Sequence, residues 1–147
     1  MQVLFICDGN TCRSPMAAAL AAQRMPGVIA ASAGLGAAEG APMAAPAVQA
    51  LREAGVPVPA HTARQLTPAV AGAADLILTM NFRQAAAAER LLPDKKIMTL
   101  PAAAGTAGEV ADPFGGDITE YRAIRDQLDR LLTQLAPRLP GLLRLRG

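Results

Sequence analysis

Apolar residues in this chain fall into two kinds of run. The first, Val3-Leu4-Phe5-Ile6, makes residues 2–6 a short continuous apolar stretch ended by a polar, glycine-containing loop. That is the mark of a buried parallel strand feeding a turn. Similar runs predict three further strands, over Val28–Ala33, Asp75–Met80 and Lys96–Leu100. The second kind is spaced for helices. Ser14 as N-cap with Pro15 at the first helical position predicts a helix over Met16–Arg24, broken by Pro26-Gly27. A Gly- and Pro-rich loop leads to a helix over about Pro46–Ala54, Thr67-Pro68 repeats the cap-then-proline signal for a short helix, and Asn81 is placed to cap a helix through Leu91. Asp117 and Glu120 read as a capping box, followed by Ile118, Tyr121, Ile124, Leu128, Leu131, Leu132 and Leu135 at helical spacing. The last helix therefore packs one face on the core.

Between the fourth strand and that helix, residues 101–116 hold too many breakers for a regular element and are predicted to form a long loop, of a length that in compact domains is usually functional. The tail after Pro137 is proline-interrupted and Arg-bearing, and reads as frayed surface. Strands alternating with helices predict one α/β domain over residues 1–147, a doubly wound four-stranded parallel sheet with helices on both faces. Ligands of such sheets bind beyond the strand C-termini at a topological switch point, and Cys7 stands at a strand end of that kind.

Composition narrows the function classes. Fourteen Lys and Arg against twelve Asp and Glu, a net charge of +2 without basic blocks, give no electrostatic footprint for nucleic acid, and one Tyr, three Phe and no Trp leave few rings for base stacking. No apolar run approaches the ~20 residues of a membrane span, and no leader-like segment precedes the first strand. The expectation is a cytoplasmic protein, a monomer, with no membrane or nucleic-acid partner. Two cysteines are too few for a disulfide framework, and one histidine, His61, leaves too few soft ligands for an ordinary structural zinc site. Cysteine here reads as chemistry, and neither a metal nor a cofactor is expected.

That chemistry centres on Cys7-Asp8-Gly9-Asn10-Thr11-Cys12-Arg13. Gly9 and Asn10 tolerate left-handed backbone, so the turn can point successive amides inward as a nest for an anion at the positive end of the following helix. Arg13 supplies a two-pronged donor to phosphate oxygens, and its charge with the nest favours a thiolate at Cys7. The P-loop pattern Gly-x-x-x-x-Gly-Lys-Ser/Thr is absent, and Cys7 and Cys12 are not a C-x-x-C redox pair, although a reversible disulfide across the loop would shield the nucleophile. Asp112, with Pro113 behind it and Gly115 and Gly116 close after, is the candidate general acid.

Together these residues resemble the low-molecular-weight protein-tyrosine-phosphatase family. Its signature Cys-x-Gly-Asn-x-Cys-Arg-Ser-Pro is matched by Cys7 to Pro15 and its Asp-Pro acid motif by Asp112-Pro113. Ser32-Ala33-Gly34, His61-Thr62-Ala63-Arg64 and residues 74–80 follow in family order, so the likeness spans nearly the whole chain. It implies that Cys7 attacks phosphorus to give a phosphocysteine, Arg13 binds the equatorial oxygens, and Asp112 protonates the leaving group and then activates water. It further implies phosphorylated proteins as substrates, with residues 8–12, Ser14 and Phe114 lining the site, and a network of Asn10, Ser14, Ser32 and His61 fixing the loop. By its chemistry alone His61 is equally a structural histidine, and it is left outside the catalytic set.

Two details bear on substrate. Thr11 stands where many tyrosine-specific members carry Ile or Leu, and with the sequence from Asp112 to Gly116 it resembles the bacterial protein-arginine-phosphatase branch. A hydroxyl beside the phosphate can accept a hydrogen bond from a guanidinium, whereas Ile offers an apolar wall to a phenyl ring. No aromatic residue lies in Leu35–Ala41 to oppose Phe114. Asp8 departs from the usual neutral residue after the nucleophile; unless it turns outward, its charge disfavours thiolate and phosphate and predicts weaker phosphate binding. The alternatives are a tyrosine phosphatase of the same family, a thiol-dependent arsenate reductase, for which no cysteine follows Cys12 to relay oxidation, and a non-catalytic phosphoprotein-binding module, which needs neither nucleophile nor acid.

Overall fold

In the computed structural model, which describes residues 1–144, four strands pair in parallel in the order β2-β1-β3-β4. They are β1 (Gln2–Cys7), β2 (Ile29–Gly34), β3 (Leu76–Thr79) and β4 (Ile97–Thr99). Between them run α1 (Arg13–Arg24), α2 (Ala45–Glu53), α3 (Pro68–Ala71) and α4 (Phe82–Leu91), followed by α5 (Leu100–Ala103), α6 (Ile118–Leu135) and α7 (Leu139–Arg144). Alternation along the strands sends side chains to opposite faces. Val3, Phe5, Leu76 and Leu78 join a core with Met16, Leu20, Leu51, Leu128 and Leu132 from α1, α2 and α6. Leu4, Ile6 and Ile77 face the other way, onto Ala71 of α3 and Ala88 of α4. Helices thus cover both faces, as the continuous apolar strands require.

The strand order puts the switch point between β1 and β3, whose connections leave in opposite directions. Cys7 ends β1, and Met80 and Asn81 follow β3, so the ligand position that such a topology favours lies between those two strand ends. Side-chain caps behave as the sequence predicts at Thr67, Asn81 and Asp117, which accept from the amides of Val70, Gln84 and Glu120. Among the described residues no helix is long and apolar enough to cross a membrane.

In three places the chain departs from its pattern. Helix α1 starts at Arg13, with Cys12 at the N-cap position and no side-chain cap, because the buried Ser14 hydroxyl is engaged by the loop instead. The strand expected to reach Leu100 ends at Thr99, whose hydroxyl caps one helical turn, α5, carrying Pro101 in its first positions, so the irregular loop starts only after Ala103. The tail is not frayed after Pro137: a 3-10 turn, Ala136–Arg138, leads into α7, Leu139 is buried, and Arg138 donates to the Ala103 carbonyl at 3.0 Å. Residues 145–147 of that tail lie outside the described residues.

Candidate active site

The loop after β1 is wound around one sulfur atom. The Cys7 side chain is buried, its Sγ lies 2.9 Å from Ser14 Oγ, and the Asn10 amide donates to it at 3.2 Å. Asn10 makes this possible with φ +58°, the left-handed conformation that asparagine tolerates. Its side chain then ties the loop down twice: Nδ2 donates to Ser14 Oγ at 2.9 Å, and Oδ1 accepts from the Arg64 amide at 3.0 Å. His61 Nε2 lies 2.7 Å from the Asn10 carbonyl, and Arg64 Nε donates to the Ser32 carbonyl. The predicted network of Asn10, Ser14 and His61 is therefore present. Ser32 contributes its carbonyl through Arg64, a residue the motif contains but to which sequence reasoning gave no role.

The end of β2 closes in on the same loop. Leu35 and Gly36 donate to the Cys7 and Asp8 carbonyls, and Ala44 donates to the Thr11 carbonyl. A Cβ added at Gly34 would stand 2.7 Å from the Asp8 carbonyl oxygen and 3.0–3.1 Å from Asn10. Backbone cannot yield cheaply there, so Gly34→Ala should destabilise the protein by about 1–3 kcal/mol, read as a lower denaturant midpoint, with weaker binding of inorganic phosphate. A stable variant with unchanged phosphate affinity would contradict this packing.

Arg13 opens α1, is 2 % exposed, and is held by atoms far away in sequence. Its Nη1 donates to the Val110 carbonyl at 3.0 Å, while Nη2 faces two carboxylates, Asp8 at 3.4 Å and Asp112 at 3.6 Å. Val110 is itself buried and its amide donates to Met80 at the end of β3. Pinned from both sides, it delivers Asp112 two residues later to the guanidinium. The Phe114 amide donates to Asp112 Oδ1 at 3.0 Å, and the Asp112 side chain is half exposed at the mouth. The Phe114 ring stands free at 76 % exposure.

Asp8 is neither free in solvent nor turned away from the site. Both its oxygens lie 2.7 Å from Arg83 Nη2, besides the contact with Arg13. Burial alone would raise its carboxyl, but the hydrogen bond and charge of Arg83, with Gln84 and Arg13, outweigh that and hold it below the ordinary carboxylate value. The buried Gln84 accepts from Met80 through Oε1; its Nε2 makes no hydrogen bond of ordinary length, yet lies close enough to Asp8 to favour the ionised form. Sequence reasoning missed Arg83, and also Phe82, an exposed ring at the start of α4 beside it. The only signal for either was their place directly after β3, at the switch point.

Thr11 is partly exposed, with Oγ1 3.8 Å from Cys12 Sγ; Gly9, unlike Asn10, does not take the left-handed conformation, and a Cβ there would meet only ordinary contact with Thr11 Oγ1 at 3.6 Å. Cys12 contributes backbone to the loop, but its side chain turns away, to the Tyr121 hydroxyl of α6 at 3.3 Å. Burial pushes the Cys12 thiol up despite that hydrogen bond, and burial beside Cys12 pushes the Tyr121 phenol up as well. Both cysteines are free thiols.

The sequence model of the family described as low molecular weight phosphotyrosine protein phosphatase matches residues 2–142. The chain belongs to this family. It is thus a cysteine-dependent protein phosphatase of low molecular weight, as the motif from Cys7 to Pro15 suggested. Within the family it is 42% identical to a protein-arginine-phosphatase of Geobacillus stearothermophilus over 94% of this chain and 95% of the relative. It is 34% identical to EpsP of Ralstonia nicotianae, a probable low molecular weight protein-tyrosine-phosphatase, over 95% and 97%. A solved structure of the YwlE arginine phosphatase, a mutant with a phosphorylated active-site serine, superposes with a TM-score of 0.87 at 38% identity, covering 95% of this chain and 96% of that one.

Proposed function

We propose that this phosphatase acts on phosphoarginine in proteins, through a phosphocysteine formed at Cys7. The observation that carries the mechanism is that Asp112 lies 3.6 Å from Arg13, the residue closing the loop whose Asn10 amide and Ser14 hydroxyl both address the Cys7 sulfur. Arg13 and the loop amides hold the phosphate's oxygens, and the first turn of α1 carries no acidic side chain to compete with an anion there. The Cys7 thiolate attacks phosphorus, the bond from phosphorus to the substrate nitrogen breaks, and Asp112 gives its proton to that nitrogen as it leaves. Water then attacks the phosphocysteine while Asp112 takes its proton back. Phosphate departs, and the Cys7 thiolate, with Ser14 donating to it, is restored.

Support for arginine comes from Thr11, whose hydroxyl offers a guanidinium an acceptor, and from the relative of highest identity described above, which carries that activity in its name. The phosphorylated serine of the related mutant structure supports a covalent route. Phosphotyrosine is the second reading, favoured by the exposed rings of Phe82 and Phe114 and by the tyrosine-phosphatase relative. The expected setting is the cytoplasm, with phosphorylated proteins as partners.

Turnover of matched phosphoarginine and phosphotyrosine peptides tests the choice. The wild type should prefer phosphoarginine, and Thr11→Ile should cut that preference by about 5- to 10-fold, the worth of one hydrogen bond. A phosphotyrosine preference in the wild type would overturn the arginine reading and leave the phosphocysteine mechanism standing.

A further inference from the structure

An acidic residue directly after the nucleophile is out of place in a site built only to bind an anion, and that residue is the starting point. The Asp8 carboxylate shares Nη2 of Arg13 with Asp112, so it lies beside the place where Arg13 would hold a phosphate. It stays ionised, and its side chain is 42% exposed. From the solvent side it already holds a guanidinium nitrogen: Arg83 Nη2, 2.7 Å from both oxygens. The Arg83 side chain is 65% exposed, and an exposed pair of this kind contributes little net stability, because water competes for both ends.

We propose that Asp8 reads the guanidinium of the substrate, and that Arg83 is an internal stand-in for that guanidinium which the substrate displaces. The inference rests on the phosphoarginine reading above. A phosphorylated guanidinium presents N–H donors within a few ångströms of its phosphate; the phenyl ester of phosphotyrosine presents none. A carboxylate next to the phosphate clamp therefore rewards the first substrate and repels the second, as a specificity element should. In the free enzyme Arg83 caps that carboxylate, so the charge is not left unpaired beside the nucleophile. The opposite assignment, in which Arg83 serves only to neutralise Asp8 in favour of any phosphate, makes the opposite prediction for its removal.

The test uses the full chain and reads one ratio, kcat/KM for a phosphoarginine peptide over kcat/KM for an aryl phosphate. Asp8→Asn should lower the ratio by about tenfold, the worth of a charge-assisted hydrogen bond, and Arg83→Gln should raise it by about two- to fivefold. A ratio unmoved by Asp8→Asn, or lowered by Arg83→Gln, overturns the proposal. If Asp8→Asn does not fold, Arg83→Gln decides together with inhibition by free arginine, which should strengthen in that variant; unchanged or weaker inhibition counts against the stand-in. A wild type without preference for phosphoarginine over phosphotyrosine removes the functional reading itself. A wild type that prefers phosphoarginine, with a ratio that neither variant moves, removes only the role given to Asp8 and Arg83.

Discussion

Replacing Cys7 with serine should abolish turnover of a chromogenic aryl phosphate, a loss of at least about 10⁴-fold in kcat. The change is nearly isosteric, and Ser14 and the Asn10 amide would still address the new oxygen. What is lost is the sulfur. An aliphatic hydroxyl is a poorer nucleophile than sulfur and, once phosphorylated, a poorer leaving group, so the cycle does not complete. Phosphate binding should survive, because Arg13 and the loop backbone do not depend on the sulfur. Direct titration of the inactive variant with inorganic phosphate, by calorimetry, separates the two effects. Activity that persists in Cys7→Ser and requires a metal would replace this mechanism with another.

Asp112→Ala should slow catalysis by about 10²- to 10⁴-fold, the usual range for removing a positioned proton donor. The effect should depend on the leaving group. A nitrophenolate departs without help, so the first step with a nitrophenyl phosphate should suffer least, while guanidine and tyrosine leaving groups need the proton and should suffer most. The geometry gives this prediction its force, since Asp112 reaches Arg13 only because the Val110 carbonyl is anchored to that same guanidinium and its amide to Met80. An Asp112→Ala enzyme with equal losses of kcat/KM, which reports the first step, on all leaving groups would assign the residue to loop architecture instead.

Much of this was legible in the sequence for a physical reason. Apolar runs, caps and breakers act over a few residues, so β1, the caps at Thr67, Asn81 and Asp117, and the helix ending at Leu135 emerge close to their predicted places. The residues proposed as nucleophile, clamp and acid could be singled out because Cys7 and Arg13 share one short loop and Asp112 stands in a loop too long to be idle. What stayed hidden is held together across the chain. Nothing local announces that Asp8 will meet Arg83, that Asn10 will accept from Arg64, or that Cys12 will face Tyr121, partners 75, 54 and 109 positions apart. Ser14 misled for the same reason: a serine before proline is a good helix cap by itself, and only the closed loop recruits its hydroxyl to sulfur. The tail misled because its prolines suggest exposure, while Leu139 finds a place in the core.

The role of Asp8 follows from the same lesson. Its charge, taken alone, argues for weak phosphate binding, yet the folded chain surrounds it with Arg13, Arg83 and Gln84. An acidic residue so equipped is better suited to discriminate among phosphates than to repel them all.

The central claim is the covalent intermediate on Cys7, and rapid-quench mass spectrometry of Asp112→Ala mixed with a nitrophenyl phosphate tests it most directly. With a good leaving group the first step proceeds and the second lacks its base, so one phosphate should accumulate on the peptide that contains Cys7. Phosphate found on any other residue, or nitrophenol released with no phosphoenzyme at any time, would contradict the account.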